Sequence, residues 1–279
     1  LPRCLGRLQP GRFGEGVSPA ALGLSPQSLV SGWGPFRDGV WAQGDVQETA
    51  DGESGVRWHL AGEVLARNVE WAVSSQPELF VGFAEAHQLV EEVSKKSPEL
   101  TQELLRSVPL QRTTDVLRRL VQESVSIRPM REICESLLSW GPREKDPVLL
   151  TEYVRIDLGR YIAHRFSGDG RTLAVLMLDP AVEQVIRQAI QQSTAGSYLA
   201  LGPEETRQIV DAVERALQRP HGEPPVSILM SSMDVRRYVR RMLEKRFPAL
   251  AVLSYQEIGS HAALQTVGRV SIEREALAA

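Results

Sequence analysis

The stretch VPLQRTTDVLRRLVQESVSIRPMREICESLLSWGPREKDPVLLTEYVRIDLGR, residues 108–160, decides how this chain folds. Leu110, Leu117, Leu120 and Val121 recur at helical spacing, while Arg112, Arg118, Arg119 and Glu123 take the other faces. Asp115 and Arg119 stand four apart, in the order that favours an ion pair on a helix surface. A second helix is expected over 129–140, with Met130, Ile133, Cys134, Leu137 and Leu138 inward, and Gly141 with Pro142 stops it. Asp146 is a natural N-cap with Pro147 at the first helical position, and the stripe that follows includes Leu150, Val154, Leu158 and Tyr161. These are amphipathic helices without a catalytic signature.

Downstream, the pattern changes to short apolar strands alternating with helices. Residues 173–178 read as a strand, and Asp179 with Pro180 opens a helix to about residue 192. A glycine-containing loop is expected at 195–197, then a helix from Gly202 and Pro203 with Glu204 and Glu205 in its first turn. Residues 226–230 form the next strand, and Ser232 and Asp234 cap a helix whose end gathers Arg240, Arg241, Lys245 and Arg246. Residues 251–254 and 264–270 complete the strands. Strand, helix, strand order implies right-handed crossovers and a largely parallel sheet.

Upstream, Pro109 closes a short helix carrying Leu100, Leu104 and Leu105. Before it, Leu79, Phe83, Ala86, Leu89, Val90 and Val93 recur at three- and four-residue spacing, which predicts one buried face. Helical signal begins near Glu63, and the Gly- and Pro-rich residues before about 56 read as loops and short strands. The expected fold class is mixed α+β with several subdomains. A divergent N-terminal segment (1–57) precedes a helical part (58–109), an all-helical subdomain (110–170) and a compact α/β subdomain (171–279).

With 279 residues, 42% hydrophobic and 24% charged, the chain can bury a sizeable core. A net charge of -3 gives no electrostatic reason to expect nucleic acid. Cys4 and Cys134 stand far apart, and Cys134 lies in an apolar helical pattern, which fits a reducing compartment. No run approaches the ~18 apolar residues of a spanning helix. The chain begins with Leu, and it reads as a fragment of a longer protein.

A search for chemistry finds none of the usual entry points. There is no phosphate-binding GxxxxGK loop, no CxxC, no HExxH and no GxSxG, and Gly168 and Gly170 lack the third partner of a dinucleotide fingerprint. The five histidines are scattered singly, as surface or packing residues. Tyr198, Leu199 and Tyr255 read as anchors packing on the core. No cofactor and no metal are expected.

The segments VPLQR, VSIRPMREI, SWGPREKDPVLLTEYVR, TAGSYLALGPE, SMDVRRYVRRMLE and AVLSYQEI occur in that order between residues 108 and 258. On them the chain resembles the cytoplasmic C-terminal domain of the type III secretion export-gate family (FHIPEP), and TAGSYLAL and SMDVRRYVR resemble its virulence, or injectisome, branch. Pro129 departs from the pattern, since members place Asn or Asp there as a cap. The resemblance implies a homomeric ring, usually nine-fold, beneath a bacterial inner-membrane gate. It further implies as partners chaperone–substrate complexes, the gatekeeper, the ATPase-complex stalk and the switch protein, with membrane association through an upstream part of the parent protein. No enzymatic activity is implied.

A ring needs complementary surfaces on opposite sides of each protomer. Arg112, Arg118 and Arg128 on one side, with Glu144 and Glu152 on the other, are the candidates for that contact. The family resemblance also makes Arg236, Arg237 and Arg240 candidates for partner docking, and it places Trp58 near a hydrophobic depression used for chaperones, where relatives carry a smaller residue. Two alternatives stay open: an α/β enzyme with a site around Asp179, Ser231 and Asp234 at the carboxyl edge of the sheet, and a monomeric adaptor.

Overall fold

A computed structural model describes residues 61–167, 172–193, 196–218 and 226–272, together with the backbone of two short strands at 29–31 and 40–42. Trp58 lies outside the described residues. The chain divides into two compact units, Leu1–Phe80 and Val81–Ala279.

In the first unit, β1 (Leu29–Ser31) and β2 (Val40–Ala42) pair antiparallel, Val30 opposite Trp41. Helix α1 (Ala61–Ser75) buries Val64 and Asn68, and the Asn68 amide donates to the Val64 carbonyl at 2.8 Å. Leu65, Val69 and Val73, four apart on another face of α1, are exposed. A 3-10 turn, Pro77–Phe80, ends the described part of this unit.

The second unit begins with α2 (Phe83–Ser94), where the extended backbone of Gly82 caps the helix and its N–H meets the Glu85 carboxylate. Ala86, Val90 and Val93 are buried as the spacing predicts. Leu79 and Phe83 are not, at 70% and 56% exposure. The expected single face is broken because Leu79 belongs to the separate 3-10 turn and Phe83 is the first residue after the cap.

α3 (Pro98–Ser107), α4 (Leu110–Gln122), α5 (Met130–Trp140) and α6 (Pro147–Asp157) follow as the sequence pattern predicts, but the stripe expected to run on to Tyr161 is divided: α6 stops at Asp157, Leu158 caps it, and a separate α7 (Gly159–Ser167) carries Tyr161. Asp146 accepts from the Val148 N–H at 2.8 Å, as a cap should. α4 ends in a Schellman pair, Ser124 N–H to Val121 and Val125 N–H to Leu120, both at 2.8 Å, with Ser124 at φ 60° where glycine is usual. Asp115 takes its hydrogen bond from Gln111 at 3.3 Å, so the expected pair with Arg119 does not form.

β3 (Thr172–Leu178), β6 (Ile228–Ser231), β7 (Ala251–Ser254) and β8 (Ala263–Val270) form one parallel sheet in the order β7-β6-β3-β8. Leu173, Val175, Ile228, Met230 and Leu253 face α2–α7 and share their core. Leu176, Leu178, Leu229 and Val252 face the opposite layer, α8 (Pro180–Gln188), α9 (Pro203–Leu217) and α10 (Met233–Leu243). A sheet buried on both faces explains the near-continuous apolar runs of these strands.

Helix α8 stops at Gln188, four residues before the expected end. Residues Ile190–Ser193 (β4) instead pair antiparallel with Gly196–Leu199 (β5), Gly196 turning at φ 120°. Val182, Ile186 and Ile190 continue the helical period, but cross-strand hydrogen bonding takes the last of them. Tyr198, expected to pack on the core, is 51% exposed. A short α11 (Tyr255–Ile258) follows β7, and its Glu257 carbonyl lies so close to Gly159 that any side chain there would collide with it.

Candidate interaction surfaces

Where α4, α6, α10 and α11 meet, five charges are gathered in the interior. Arg155 and Arg236, both buried, face Glu123, Glu152 and Glu257. Arg155 Nε donates to Glu257 Oε1 at 2.7 Å and its Nη1 lies 3.2 Å from Glu123. Arg236 donates to Glu152 Oε2 at 2.6 Å and to Glu123 Oε1 at 3.0 Å. Burial alone would raise the Glu123 carboxyl, but Arg236 and Arg155 together outweigh it and lower it to about 2. Removing one partner from a buried network of this kind costs about 3–5 kcal/mol, because the others lose their compensation.

The same arginines finish the sheet. Backbone groups of β7 and of the residue before it bond side chains as well as β6. The Val252 carbonyl accepts from Arg236 at 3.1 Å and the Leu250 carbonyl from Arg240 at 2.8 Å, while Ser254 N–H donates to Glu257 at 3.3 Å. A strand edge that would otherwise bury polar groups is thereby satisfied.

Two expectations about exposed charge are corrected by this network. Glu152, placed on an outer face from the sequence, is 2% exposed and held by Arg236. Arg236, read with its neighbours as a docking patch, is fully buried. Arg237 donates to the Ser197 hydroxyl and the Tyr238 hydroxyl, and Arg240 is engaged at the β7 edge.

Arg112 and Glu144, expected on opposite sides, are neighbours: the Arg112 guanidinium donates to the backbone carbonyls of Gly141 and Glu144. Arg118 is exposed and donates through Nε to the Val81 carbonyl at 2.6 Å. Arg128 is exposed, and the Glu144 carboxylate accepts from the Asp146 N–H at 2.8 Å.

Among the described residues, no hydrogen bond or ion pair joins Asp179, Ser231 and Asp234, the residues of the enzyme alternative. Asp179 accepts from Ala181 N–H at 2.9 Å and lies 3.6 Å from Arg269. Asp234, expected to help cap α10, is paired with Arg187, with a second bond at 3.2 Å. The Ser232 hydroxyl donates to Glu183 rather than capping α10. Ser231 is buried with its hydroxyl unpartnered. Burial pushes the Cys134 thiol up to about 12, which leaves it protonated and unreactive.

Two cavities flank the charge network. One, about 440 Å³, lies between α7, the end of α4 and the β7 edge, with Val125, Ile162, Phe166 and Leu250 in its wall. The other, about 400 Å³, lies between α4, the start of α6, α10 and the β4–β5 hairpin. Neither is lined by Asp179, Ser231 or Asp234. No helix among the described residues is long and apolar enough to cross a membrane.

The FHIPEP family model matches residues 36–263. The chain belongs to the FHIPEP family. Protein hrpC2 of Xanthomonas euvesicatoria is 47% identical over 208 residues, covering 75% of this chain and 32% of its own length. This FHIPEP chain therefore spans about a third of that relative. The Chlamydia pneumoniae CdsV and CdsO protein complex matches with a TM-score of 0.73 at 34% identity, over 95% of this chain and 76% of the matched one. Nonameric EPEC SctV-C matches with a TM-score of 0.70 at 35% identity, over 83% and 70%. The mixed fold with its parallel sheet is thus the fold of type III secretion export-gate proteins, and the virulence-associated branch is the one it resembles.

Proposed function

We propose that this chain works as the cytoplasmic, ring-forming docking platform of a bacterial type III secretion export gate. Its copies close a nine-membered ring beneath the inner membrane, anchored by another part of the parent protein. The ring receives chaperone–substrate complexes and the gatekeeper, and it meets the ATPase-complex stalk and the switch protein. The reading is carried by one observation: a relative 35% identical over 83% of this chain is a nonamer. The CdsV–CdsO complex supports a further protein partner.

Arg118, Arg128 and the Glu144 carboxylate are the charges we retain for the protomer contact, with Arg112 beside them holding the α5–α6 connection in shape. Exposed charges of this kind contribute little to the monomer's own stability. Arg118→Glu with Arg128→Glu is therefore expected to abolish rings seen by electron microscopy of the concentrated protein, with the monomer's Tm nearly unchanged. Rings of the same size and yield in that double variant would remove these residues from the contact. A monomeric mass at every concentration, in the membrane-tethered protein as well, would remove the ring.

A further inference from the structure

The cavity of about 400 Å³ is lined by arginines from two helices, Arg119 of α4 and Arg237, Arg240 and Arg241 of α10. Two of the four are engaged. Arg240 donates to the Leu250 and Pro248 carbonyls, and Arg237 donates to Ser197 and Tyr238 with Asp146 at 3.7 Å. The other two are not. The Arg119 and Arg241 side chains meet no carboxylate, carbonyl, hydroxyl or aromatic ring among the described residues. Arg119 is the residue whose expected partner, Asp115, is bonded to Gln111 instead.

Charge and shape together narrow what fits there. Within the adjoining network Arg155, Arg236 and Arg240 stand against Glu123, Glu152 and Glu257, three against three. That leaves Arg119, Arg237 and Arg241 against Asp146 and Glu244 at the cavity, a surplus of one positive charge. One surplus charge suits a single carboxylate, and the four acids of the wall, Glu123, Asp146, Glu152 and Glu244, repel phosphate dianions and polyanions. Small-molecule sites are mostly apolar, yet Val148 is the only aliphatic side chain in the described wall. A planar fork from each unpaired arginine is the geometry that carboxylates prefer.

We propose that this cavity seats one aspartate or glutamate side chain of an acidic segment of a partner polypeptide, gripped between Arg119 and Arg241. The inference deepens the docking-platform reading and rests on it only for the identity of the partner as a protein. Arg119 and Arg241 take the role that the sequence pattern assigned to Arg236, which the interior consumes.

The test uses the purified domain and a fluorescein-labelled Gly-Ser-Glu-Asp-Glu-Ser-Gly peptide, read by anisotropy, with the Gln-Asn-Gln peptide as its neutral analogue. The wild type is expected to bind the acidic peptide at least about tenfold more tightly than the analogue, the discrimination that bidentate charge-assisted bonds from half-buried Arg119 and exposed Arg241 supply together. Arg119→Gln with Arg241→Gln should erase that difference, Arg119→Lys with Arg241→Lys should restore part of it, and Arg207→Gln should leave it intact. Arg207 is exposed on α9 and paired with Glu204. Equal binding of the two peptides, or an undiminished preference in the double Gln variant, overturns the site. So does displacement of the acidic peptide by equimolar pyrophosphate, which would mark a phosphate site. The solution mass of each sample separates the two readings: acid-specific binding by a protein that never forms rings defeats only the ring, and rings without acid-specific binding defeat only this site.

Discussion

At one edge of the sheet, β7 is largely buried, and its Val252 carbonyl and the carbonyl of the preceding Leu250 rest on Arg236 and Arg240. At the other, β8 runs for eight residues, largely exposed, with Arg269 its one charged residue. The same backbone problem has two solutions. A buried edge must find its donors in the protein, because an unsatisfied carbonyl there costs the full desolvation penalty, whereas an exposed edge is served by water. Arg236 and Arg240 of α10 are accordingly committed to the sheet first, and only the charge left over is available for recognition.

The sharpest way to break this contrast is Arg236→Met, which leaves three carboxylates with only Arg155 and the more distant charge of Arg240 against them and uncovers the Val252 carbonyl. A loss of about 3–5 kcal/mol is expected from urea denaturation. A loss below about 1 kcal/mol would mean that the buried edge of β7 does not need its arginine.

Acid probes the same network more gently. The folded Glu123 carboxyl, at about 2, lies below its ordinary value of 4.5, so the native state binds fewer protons than the unfolded chain between those values. Its contribution is complete above pH 4.5 and is lost as the pH falls toward 2, on the order of 3 kcal/mol in all. The urea midpoint should drop through this window in the wild type and drop less in Arg236→Met. Identical slopes would show that Arg236 does not hold Glu123.

Smaller effects separate the two edges further. Ser124 lines the cavity beside β7 at φ 60°, a conformation that a side chain disfavours by roughly 1–2 kcal/mol and glycine does not. After glycine's greater loss of chain entropy, Ser124→Gly is expected to stabilise by about 0.5 kcal/mol, visible as a raised Tm; a lowered Tm would assign the Ser124 side chain a contact. On β8, exposed Gln265→Lys should stay within about 0.5 kcal/mol of the wild type, as water-served edges tolerate charge. A loss above 1 kcal/mol there would reveal a covered edge.

Most helices and all four strands of the parallel sheet were legible, because caps such as Asp146 with Pro147 and Asp179 with Pro180 act within one turn. The β4–β5 hairpin was not, since Ile190 continues a helical period and only pairing with Leu199 makes it a strand. The candidate site was legible in part. The sequence pointed to α10, where Arg236 and Arg240 fall on one face and Arg237 and Arg241 on the next, but not to Arg119, which appeared to be paired.

Local spacing, capping chemistry and the order of its motifs determined the elements of this chain and its membership of the FHIPEP family. Which charges are interior was decided by the tertiary structure alone. Glu152 lies 84 residues from Arg236 and Glu123 lies 113 from it, and Arg155 and Glu257 are 102 apart. Over such separations the sequence records no pairing, and burial assigns partners only when the helices pack on the sheet.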